Sequence, residues 1–222
     1  TVSRLSGLVS PENILVITNQ AQATAIQEEL PEIPAANIIA EPYGRNTAAC
    51  VALSAAIVSK RDPDAVCFVL PADHLIPNVE LFQADLIKGA NYAYELEGLV
   101  TLGIPPTRPE TGYGYIQIES GKPGDGVFKV ATFAEKPNYA TAVRFLQSGD
   151  FMWNSGMFIW KASVILDEIS IFLPELAEQI GTLKSVIDTD QFEEMLERAY
   201  SQIKGISIDY GIMEKSHRVF LI

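Results

Sequence analysis

The sequence predicts an α/β fold with a largely parallel sheet, because short apolar runs of strand length alternate with segments that favour helix. The strand-like runs occupy residues 13–18, 38–40, 65–70 and 99–104. Helical segments separate them at residues 21–30, 47–60 and 79–97. The chain has 222 residues, of which 48% are hydrophobic, so one domain can bury a substantial core.

The helix at 47–60 and the strand at 65–70 have the clearest local signals. The helix is rich in alanine, and either Asn46 or Thr47 can serve as its N-cap. The strand is the continuous apolar run AVCFVL, which Pro71 ends. Such a run is typical of a strand that is buried on both faces of a parallel sheet.

After Pro105 the pattern changes, because two strands follow each other without a helix between them. They cover residues 113–119 and 127–135 and are joined by the turn SGKPGDG. Consecutive strands of this kind indicate a small antiparallel insertion or edge. The rest of the chain continues with a helix, a strand and a helical region at residues 139–147, 157–160 and 162–199.

The charge balance limits the classes of partner. With 16 basic and 28 acidic residues, the formal net charge is −12. We expect no binding to nucleic acid or to anionic membranes, since both rely on basic patches. A phosphorylated small molecule remains compatible if a few local cations and a metal ion meet its phosphates. Cys50 and Cys67 lie within apolar stretches and do not indicate a disulfide framework, so we expect a reducing, cytoplasmic setting.

Asp73 lies directly after the buried strand at 65–70, in the motif LPADH. In open α/β sheets, ligands bind outside the carboxyl ends of the strands. An ionised carboxylate at such an end suits Mg²⁺, which usually takes one or two carboxylates together with substrate phosphates. The alternative is a solvated turn, and His74 is interpreted as a structural hydrogen-bonding residue.

The motif EPYGRNT joins a strand end to a helix N-terminus, where unpaired backbone N–H groups favour anions. Its first residue, Glu41, carries a negative charge and needs another explanation. A carboxylate only accepts hydrogen bonds, and guanine offers two adjacent donors where adenine presents an acceptor. Glu41 therefore either selects guanine over adenine or forms a surface salt bridge with Arg45, and the sequence favours neither.

Two further motifs place polar groups beside strand ends. RPETGYGYI sets Gly114 after Tyr113, and glycine permits either close backbone approach to a ligand or a tight hairpin entry. FAEKP ends a strand with Glu135 and Lys136, so both side chains can reach one pocket. There Glu135 would accept hydrogen bonds from sugar hydroxyls and Lys136 would meet a phosphate. A charged strand end explains the same pair.

FMWNSGMFIW holds Asn154 and its polar neighbours between large apolar residues. Burying an unsatisfied amide costs about 1–3 kcal/mol, so Asn154 must find a partner, either a sugar ligand or neighbouring backbone. Asp209 and Lys215, in SIDYGIMEK, can join such a site, although a charged helix face is the simpler interpretation of that pair.

Six motifs in the order EPYGRNTA, VLPADH, RPETGYGYI, FAEKP, WNSGMF and SIDYGIMEK resemble those of the mannose-1-phosphate guanylyltransferases, or GDP-mannose pyrophosphorylases. The resemblance runs over essentially the whole chain. It implies a Rossmann-like nucleotidyltransferase fold, with a mostly parallel central sheet, helices on both faces and a small antiparallel insertion. It also implies that the sugar phosphate of mannose 1-phosphate attacks the α-phosphorus of GTP with the help of Mg²⁺, giving GDP-mannose and pyrophosphate.

The same resemblance implies roles for individual residues. Asp73 would bind Mg²⁺ and act with Lys136 in catalysis. The nucleotide would lie beside Glu41, Arg45, Asn46, Thr47, Pro71 and Ala72. The sugar phosphate would lie beside Tyr113, Gly114, Glu135, Lys136, Asn154, Asp209 and Lys215.

Some features of that family are not found in these residues. They are an opening strand with a glycine-rich loop, a later Trp-x-Asp-Val-Gly-Ser-Trp stretch with a second metal-binding Asp, and a cupin-type isomerase domain. We therefore expect residues 1–222 to form one nucleotidyltransferase domain without that strand, loop and C-terminal part, and to bind GTP poorly when alone. The alternatives are another hexose-1-phosphate nucleotidyltransferase and a non-catalytic sugar-nucleotide sensor. A homodimer is one assembly that the sequence permits.

Overall fold

The computed structural model describes residues 1–119 and 126–222. Most of the turn expected at 120–126 therefore lies outside the described residues. The strands are β1 (Val16–Asn19), β2 (Ile38–Glu41), β3 (Val66–Val69), β4 (Leu99–Ile104), β5 (Tyr115–Ile118), β6 (Phe128–Ala134), β7 (Phe151–Lys161) and β8 (Val219–Leu221). The α-helices are α1 (Gln20–Glu29), α2 (Asn46–Arg61), α3 (Val79–Leu96), α4 (Tyr139–Ser148), α5 (Ala162–Phe172), α6 (Pro174–Leu183) and α7 (Phe192–Gln202).

The strands form two sheets. Strands β1 and β2 pair in parallel as a two-stranded sheet. The larger sheet has the order β3–β7–β4–β8–β6–β5, and β7 also pairs with β5. The long strand β7 therefore contacts three other strands: β5 through its first residues, β3 through its last residues, and β4 through a stretch from Trp153 to Ile159 that overlaps both.

The expected α/β class is confirmed, but the larger sheet is mixed rather than mostly parallel. Among its described pairs, β4 with β8 is the parallel one, and the others are antiparallel. Strands β3, β4, β5 and β8 do run in one direction, but the oppositely directed β7 lies between β3 and β4, and the oppositely directed β6 lies between β8 and β5. The sequence pattern indicated only residues 157–160 of β7, because the polar residues before them interrupt the apolar run.

Helices cover both faces of the larger sheet, as expected. Successive residues of a strand point to opposite faces, and those of β7 enter two different hydrophobic clusters. Phe158 and Trp160 pack with residues of α2, α5, α6 and α7. Met157 and Ile159 pack with residues of α3 and with Leu5 near the start of the chain.

Helix α2 has an unusual start. The helix begins at Asn46, one residue earlier than the expected span, and Asn46 itself has a φ of 63°. The Asn46 side chain accepts a hydrogen bond from the N–H of the next residue, Thr47, at 2.8 Å. Helix α3 is capped in the regular way, by the Asn78 side chain, which accepts from the N–H of Leu81. None of the described helices is long and apolar enough to cross a membrane.

Candidate active site

Asn154 is the centre of the first half of the site. It lies in β7, and its side-chain Nδ2 donates to Asp209 Oδ1 at 2.8 Å. Its backbone N–H donates to the carbonyl of Gly114 at 2.8 Å, while its Oδ1 accepts from the N–H of Gly156 at 3.0 Å. Both ends of the amide of this half-buried Asn154 are therefore held, which satisfies the expectation that it has partners.

Gly114 is needed for close approach rather than for a positive φ. A Cβ added there would lie 2.4 Å from Glu135 Oε2 and 3.3 Å from the Cβ of Asn154. No side chain fits at the first of these distances unless the carboxylate moves. The structure thus brings together Gly114, Glu135, Asn154 and Asp209, four of the residues expected beside the sugar phosphate.

Glu135 and Lys136 lie where β6 ends, and they reach the same place, as expected. Lys136 has a φ of 46°, and its Nζ lies 2.5 Å from Glu135 Oε1. The Glu135 side chain is only 7% exposed, whereas that of Lys136 is 58% exposed. The backbone N–H of Glu135 donates to Glu214 Oε1 at 3.1 Å. Lys136 can therefore present its ammonium group to a solvent-borne ligand while Glu135 stays fixed below it.

The charges of this cluster are coupled. Burial raises the pKa of Asp209, and the nearby Glu135 carboxylate raises it further, while the hydrogen bond from Asn154 acts in the opposite direction. The hydrogen bond and the charge of Glu135 raise the pKa of Lys136, with smaller contributions from Tyr210 and Asp209. The cluster thus combines a firmly cationic amine with carboxylates that crowd each other. A ligand that donates hydroxyl hydrogen bonds would relieve that crowding.

Tyr113 lies beside this cluster, at the entrance to β5. Its ring makes an edge-to-face contact with Trp153, the residue before Asn154, at 5.3 Å between centroids. The Arg108 guanidinium lies 5.4 Å from the centroid of the Trp153 ring, and Arg108 also pairs with Glu110. Glu110 accepts from two backbone N–H groups of its own loop, which fixes the approach to Tyr113. Glu110 was not among the residues expected at the site, although an acidic side chain inside a glycine-rich turn was a usable signal.

Lys215 and Glu214 follow the π-helical turn Asp209–Met213. Glu214 contacts the Glu135 backbone, as described, and was not among the expected site residues. The Lys215 side chain is exposed, and no contact among the described residues joins it to the cluster. Its assignment to the sugar site stays a prediction.

Glu41 lies at the end of β2, and its surroundings form the second half of the candidate site. Its Oε1 accepts a hydrogen bond from the hydroxyl of Tyr200 in α7 at 2.9 Å. The Arg45 side chain does not pair with Glu41 and instead donates from its Nε to the Tyr200 carbonyl at 2.8 Å. No described ion pair joins Glu41 to Arg45, so the salt-bridge interpretation of Glu41 is wrong. Burial raises the pKa of Glu41, and the Tyr200 hydrogen bond partly offsets that rise.

The N-terminus of α2 is less open than expected. The Thr47 N–H is bound by Asn46, and the Ala48 N–H donates to the carbonyl of Ile206 at 3.1 Å. The Thr47 hydroxyl accepts from the N–H of Ile208 at 2.8 Å. These two backbone donors are therefore occupied by the chain itself, and the expectation that they are free for an anion is wrong. Thr47 and Ala48 instead tie the start of α2 to the segment that leads into Asp209.

Asp73 lies in the loop after β3, and its side chain is 87% exposed, with His74 Nε2 3.9 Å away. The start of the chain holds that loop in place. The Thr1 hydroxyl donates to the Pro71 carbonyl at 2.9 Å, and Arg4 donates to the His74 carbonyl at 2.8 Å. Ala72, between them, is exposed.

The residues present fit a metal ion that arrives with a phosphorylated substrate. Within the described residues, no group of three or more His, Cys, Asp or Glu side chains is arranged to hold a metal. A complete protein-made metal cage is therefore not present in that part of the chain. Mg²⁺ needs only one or two carboxylates when phosphates supply other ligands, and the exposed Asp73 can serve in that way. The Asp73 loop also adjoins the Asn154 segment, since a Cβ on Gly156 would lie 3.7 Å from Pro71.

Comparisons with known proteins show the family of this chain. The nucleotidyl transferase family profile matches residues 1–182. Among curated relatives, the mannose-1-phosphate guanylyltransferase of Escherichia coli K12 is 38% identical over 97% of this chain and 46% of its own length. The one named ManC from Salmonella typhimurium is 41% identical over the same shares. The chain thus spans about half the length of the curated relatives it matches.

Two solved structures superpose on the whole chain. One is described as a mannose-1-phosphate geranyltransferase from Thermus thermophilus, with a TM-score of 0.87, 32% identity and 62% of that chain covered. The other is described as a mannose-6-phosphate isomerase from Helicobacter pylori, with a TM-score of 0.82, 29% identity and 86% of that chain covered. Because the family profile also matches most of its residues, this chain belongs to the nucleotidyl transferase family.

Proposed function

We propose that the protein carrying this chain transfers a guanylyl group from GTP to mannose 1-phosphate, giving GDP-mannose and pyrophosphate. The observation that carries the proposal is the cluster of Gly114, Glu135, Lys136, Asn154 and Asp209 around β7. It offers hydrogen-bond acceptors for sugar hydroxyls beside an exposed ammonium group for a phosphate. The curated relatives named mannose-1-phosphate guanylyltransferase support the same reaction.

The sugar phosphate would lie on this cluster. Glu135 and Asp209 would accept hydrogen bonds from the sugar hydroxyls, and Asn154 would keep Asp209 in place through its 2.8 Å hydrogen bond. Lys136 would bind the phosphate. Tyr113 would border the sugar, and Lys215 would approach the same ligand from solvent.

The nucleotide would lie on the second half of the site. The free acceptor capacity of Glu41 would face the N1–H and the amine of guanine, and adenine would be rejected because its N1 is also an acceptor. Pro71 and Ala72 would border the nucleotide on the β3 side. Arg45, Asn46 and Thr47 would act mainly by shaping the Glu41 loop, since their polar groups are engaged within the chain.

The chemistry needs few groups from the protein. A phosphate oxygen of the sugar phosphate forms a bond to the α-phosphorus of GTP, and the bond from that phosphorus to the bridging oxygen breaks, so that pyrophosphate leaves. The attacking oxygen is already anionic, so no general base is required. Lys136 would hold that phosphate in line with the α-phosphorus and offset the negative charge that the two substrates bring together. Mg²⁺ bound at Asp73 would neutralise charge on the nucleotide phosphates.

The first test is Mg²⁺-dependent release of pyrophosphate by the purified protein, with any segments that flank this chain in its gene retained. GTP, ATP, UTP and dTTP are each paired with mannose 1-phosphate and with glucose 1-phosphate. We expect release to be dominated by GTP with mannose 1-phosphate. Dominance of another pair would replace this activity with that of a different hexose-1-phosphate nucleotidyltransferase. Binding without release from any pair would favour a sugar-nucleotide sensor.

The role of Lys136 has a matched control on the same strand. Lys129 of β6 also pairs with a glutamate, Glu119, at 3.7 Å, and its side chain is about as exposed as that of Lys136. We expect Lys136→Ala to lower kcat/KM for mannose 1-phosphate by about 100-fold, as for the loss of one group that stabilises charge in a transition state. Lys129→Ala should change it less than about twofold, since an exposed ion pair contributes little. Equal effects of the two variants would exclude a specific role for Lys136.

A further inference from the structure

Tyr200 of α7 connects to both ends of the loop that carries Glu41. Its side chain is fully buried, and its hydroxyl donates to Glu41 Oε1 at 2.9 Å. Its backbone carbonyl accepts from Arg45 Nε at 2.8 Å. A single residue thus fixes the carboxylate at one end of the loop and the guanidinium at the other. We propose that Tyr200 is a positioning residue that orients the Glu41 carboxylate and thereby sets the nucleobase specificity of the site.

The proposal rests on the proposed function, because it assigns to Tyr200 a role in the recognition of guanine. Recognition of two adjacent donors requires the plane of the carboxylate to match the plane of the base. A half-buried glutamate can rotate about its side-chain bonds unless a neighbour holds it. The Tyr200 hydroxyl occupies Oε1 and leaves further lone pairs of the carboxylate for a ligand. The tyrosine ring is packed in the core, so the hydroxyl cannot follow if Glu41 turns away.

Tyr200 also influences whether Glu41 is ionised. In the part of the chain that the structure describes, the titratable groups that interact with Glu41 are Tyr200 from α7 and Cys50 from α2. Burial and the Glu41 charge raise the pKa of Cys50 to about 12, so this thiol stays neutral at ordinary pH. Arg45, the cation of the same loop, is engaged with the Tyr200 and Ser201 carbonyls. Tyr200 is therefore the neighbour that lowers the pKa of Glu41 against the effect of burial.

A protonated Glu41 would carry a hydroxyl donor and lose its preference for guanine. Removing the Tyr200 hydroxyl removes a contribution that lowers the pKa of Glu41, so Glu41 would take up its proton at a higher pH. The preference for GTP should then fail at a higher pH as the solution is acidified. Removing the hydroxyl of a tyrosine that only filled space in the core would not change the pH at which the preference for GTP is lost.

The test compares Tyr200→Phe with the wild-type protein, with flanking segments retained as above. We measure kcat/KM for GTP and for ATP across the acid and neutral range. In Tyr200→Phe we expect the ratio of GTP to ATP to fall about tenfold, the size typical of losing one hydrogen bond to a charged group. The KM for mannose 1-phosphate should stay unchanged, and the acid limb of the GTP preference should shift to higher pH.

Tyr115→Phe is the matched control. Tyr115 is also fully buried, and its hydroxyl donates to the Glu110 carbonyl and accepts from the Glu110 N–H, both at 2.9 Å and away from Glu41. Both variants lose one hydroxyl group and keep the ring, so their melting temperatures report the purely structural cost. Tyr115→Phe should leave the GTP to ATP ratio and its pH limb unchanged.

The outcomes separate the two proposals. If the wild-type protein shows no preference for GTP, the proposed function itself fails. If the wild-type protein prefers GTP, and Tyr200→Phe changes neither the GTP to ATP ratio of kcat/KM nor the pH at which this preference is lost, the proposed role of Tyr200 is wrong. The proposed function then still holds. If Tyr200→Phe does not fold, NMR of the wild-type protein decides instead. We then expect a slowly exchanging Tyr200 hydroxyl proton whose shift follows the titration of Glu41, and a signal that ignores this titration overturns the proposal.

Discussion

Gly114→Ala should separate damage to the site from damage to the fold. The added Cβ would lie 2.4 Å from Glu135 Oε2, about 1 Å inside ordinary van der Waals contact. Glu135 cannot swing freely, because its side chain is 7% exposed and Lys136 holds its other oxygen at 2.5 Å. The substitution must therefore displace the carboxylate and disturb its ion pair with Lys136.

The expected magnitudes differ for stability and for activity. Overpacking of this kind costs roughly 1–3 kcal/mol of folding stability, and the lower end applies because the clash is with a side-chain end rather than with backbone. A displacement of about 1 Å in a substrate-binding group can lower the rate by about 100-fold. We therefore expect kcat/KM for mannose 1-phosphate to fall about 100-fold while the melting temperature falls by only a few degrees.

The assay is steady-state pyrophosphate release with mannose 1-phosphate varied, together with thermal unfolding of the same samples. Gly112→Ala is the control, because its Cβ would meet Glu110 Oε1 at 3.4 Å, an ordinary contact in the same loop. Gly112→Ala should retain most of the activity. Activity of Gly114→Ala within about twofold of the wild type would refute the inferred tightness of this cluster.

Three further predictions concern the carboxylates and the loop between the two halves. Glu41→Gln should reduce the preference for GTP over ATP, because an amide adds a donor where the carboxylate only accepts; an unchanged ratio in competition assays contradicts this. Asp209→Asn should raise the melting temperature at neutral pH by about 2–4 °C per kcal/mol of relieved repulsion, yet weaken sugar binding. The pKa of Asp209 is raised in the folded state, so its protonated form stabilises the fold at acid pH, and that contribution is lost as the pH rises through the folded pKa. The rise in melting temperature caused by Asp209→Asn should therefore vanish at acid pH. Thr47→Val should cost about 1–3 kcal/mol in urea unfolding, because the Ile208 N–H loses its acceptor, whereas Thr47→Ser should cost much less.

Much of the fold followed from local sequence patterns, whereas the grouping of the site residues followed from the resemblance of six motifs to a known family. Helices α2 and α3 were predicted because their composition and periodicity are strong over many residues. The resemblance to the mannose-1-phosphate guanylyltransferases implied that Glu135, Asn154 and Asp209 lie together, and the contacts among their side chains agree with that placement. The roles of these residues, the Mg²⁺ ion, a homodimer and a cytoplasmic location stay predictions.

What the sequence missed depends on long-range packing. The antiparallel position of β7 between β3 and β4 cannot be predicted from a local sequence pattern, because strand pairing depends on contacts throughout the sheet. Tyr200 looks like any other apolar position of an amphipathic helix, and only the fold places its hydroxyl against Glu41. The occupied N-terminus of α2 was unpredictable for the same reason, since its partners at Ile206 and Ile208 are distant in the chain.

That distance has a consequence for biosynthesis. The hydrogen bonds from Tyr200 to Glu41 and from Ile208 to Thr47 join residues 159 and 161 positions apart. A growing chain therefore displays the Glu41 loop on the ribosome for about ten seconds or more before its partners are made, at typical synthesis rates of about 5–20 residues per second. During that interval β2 and the start of α2 lack the contacts that hold them. Ribosome-bound chains that stop short of Tyr200 should accordingly be cut by proteases in this loop, while chains that extend past Asp209 and clear the exit tunnel should be protected.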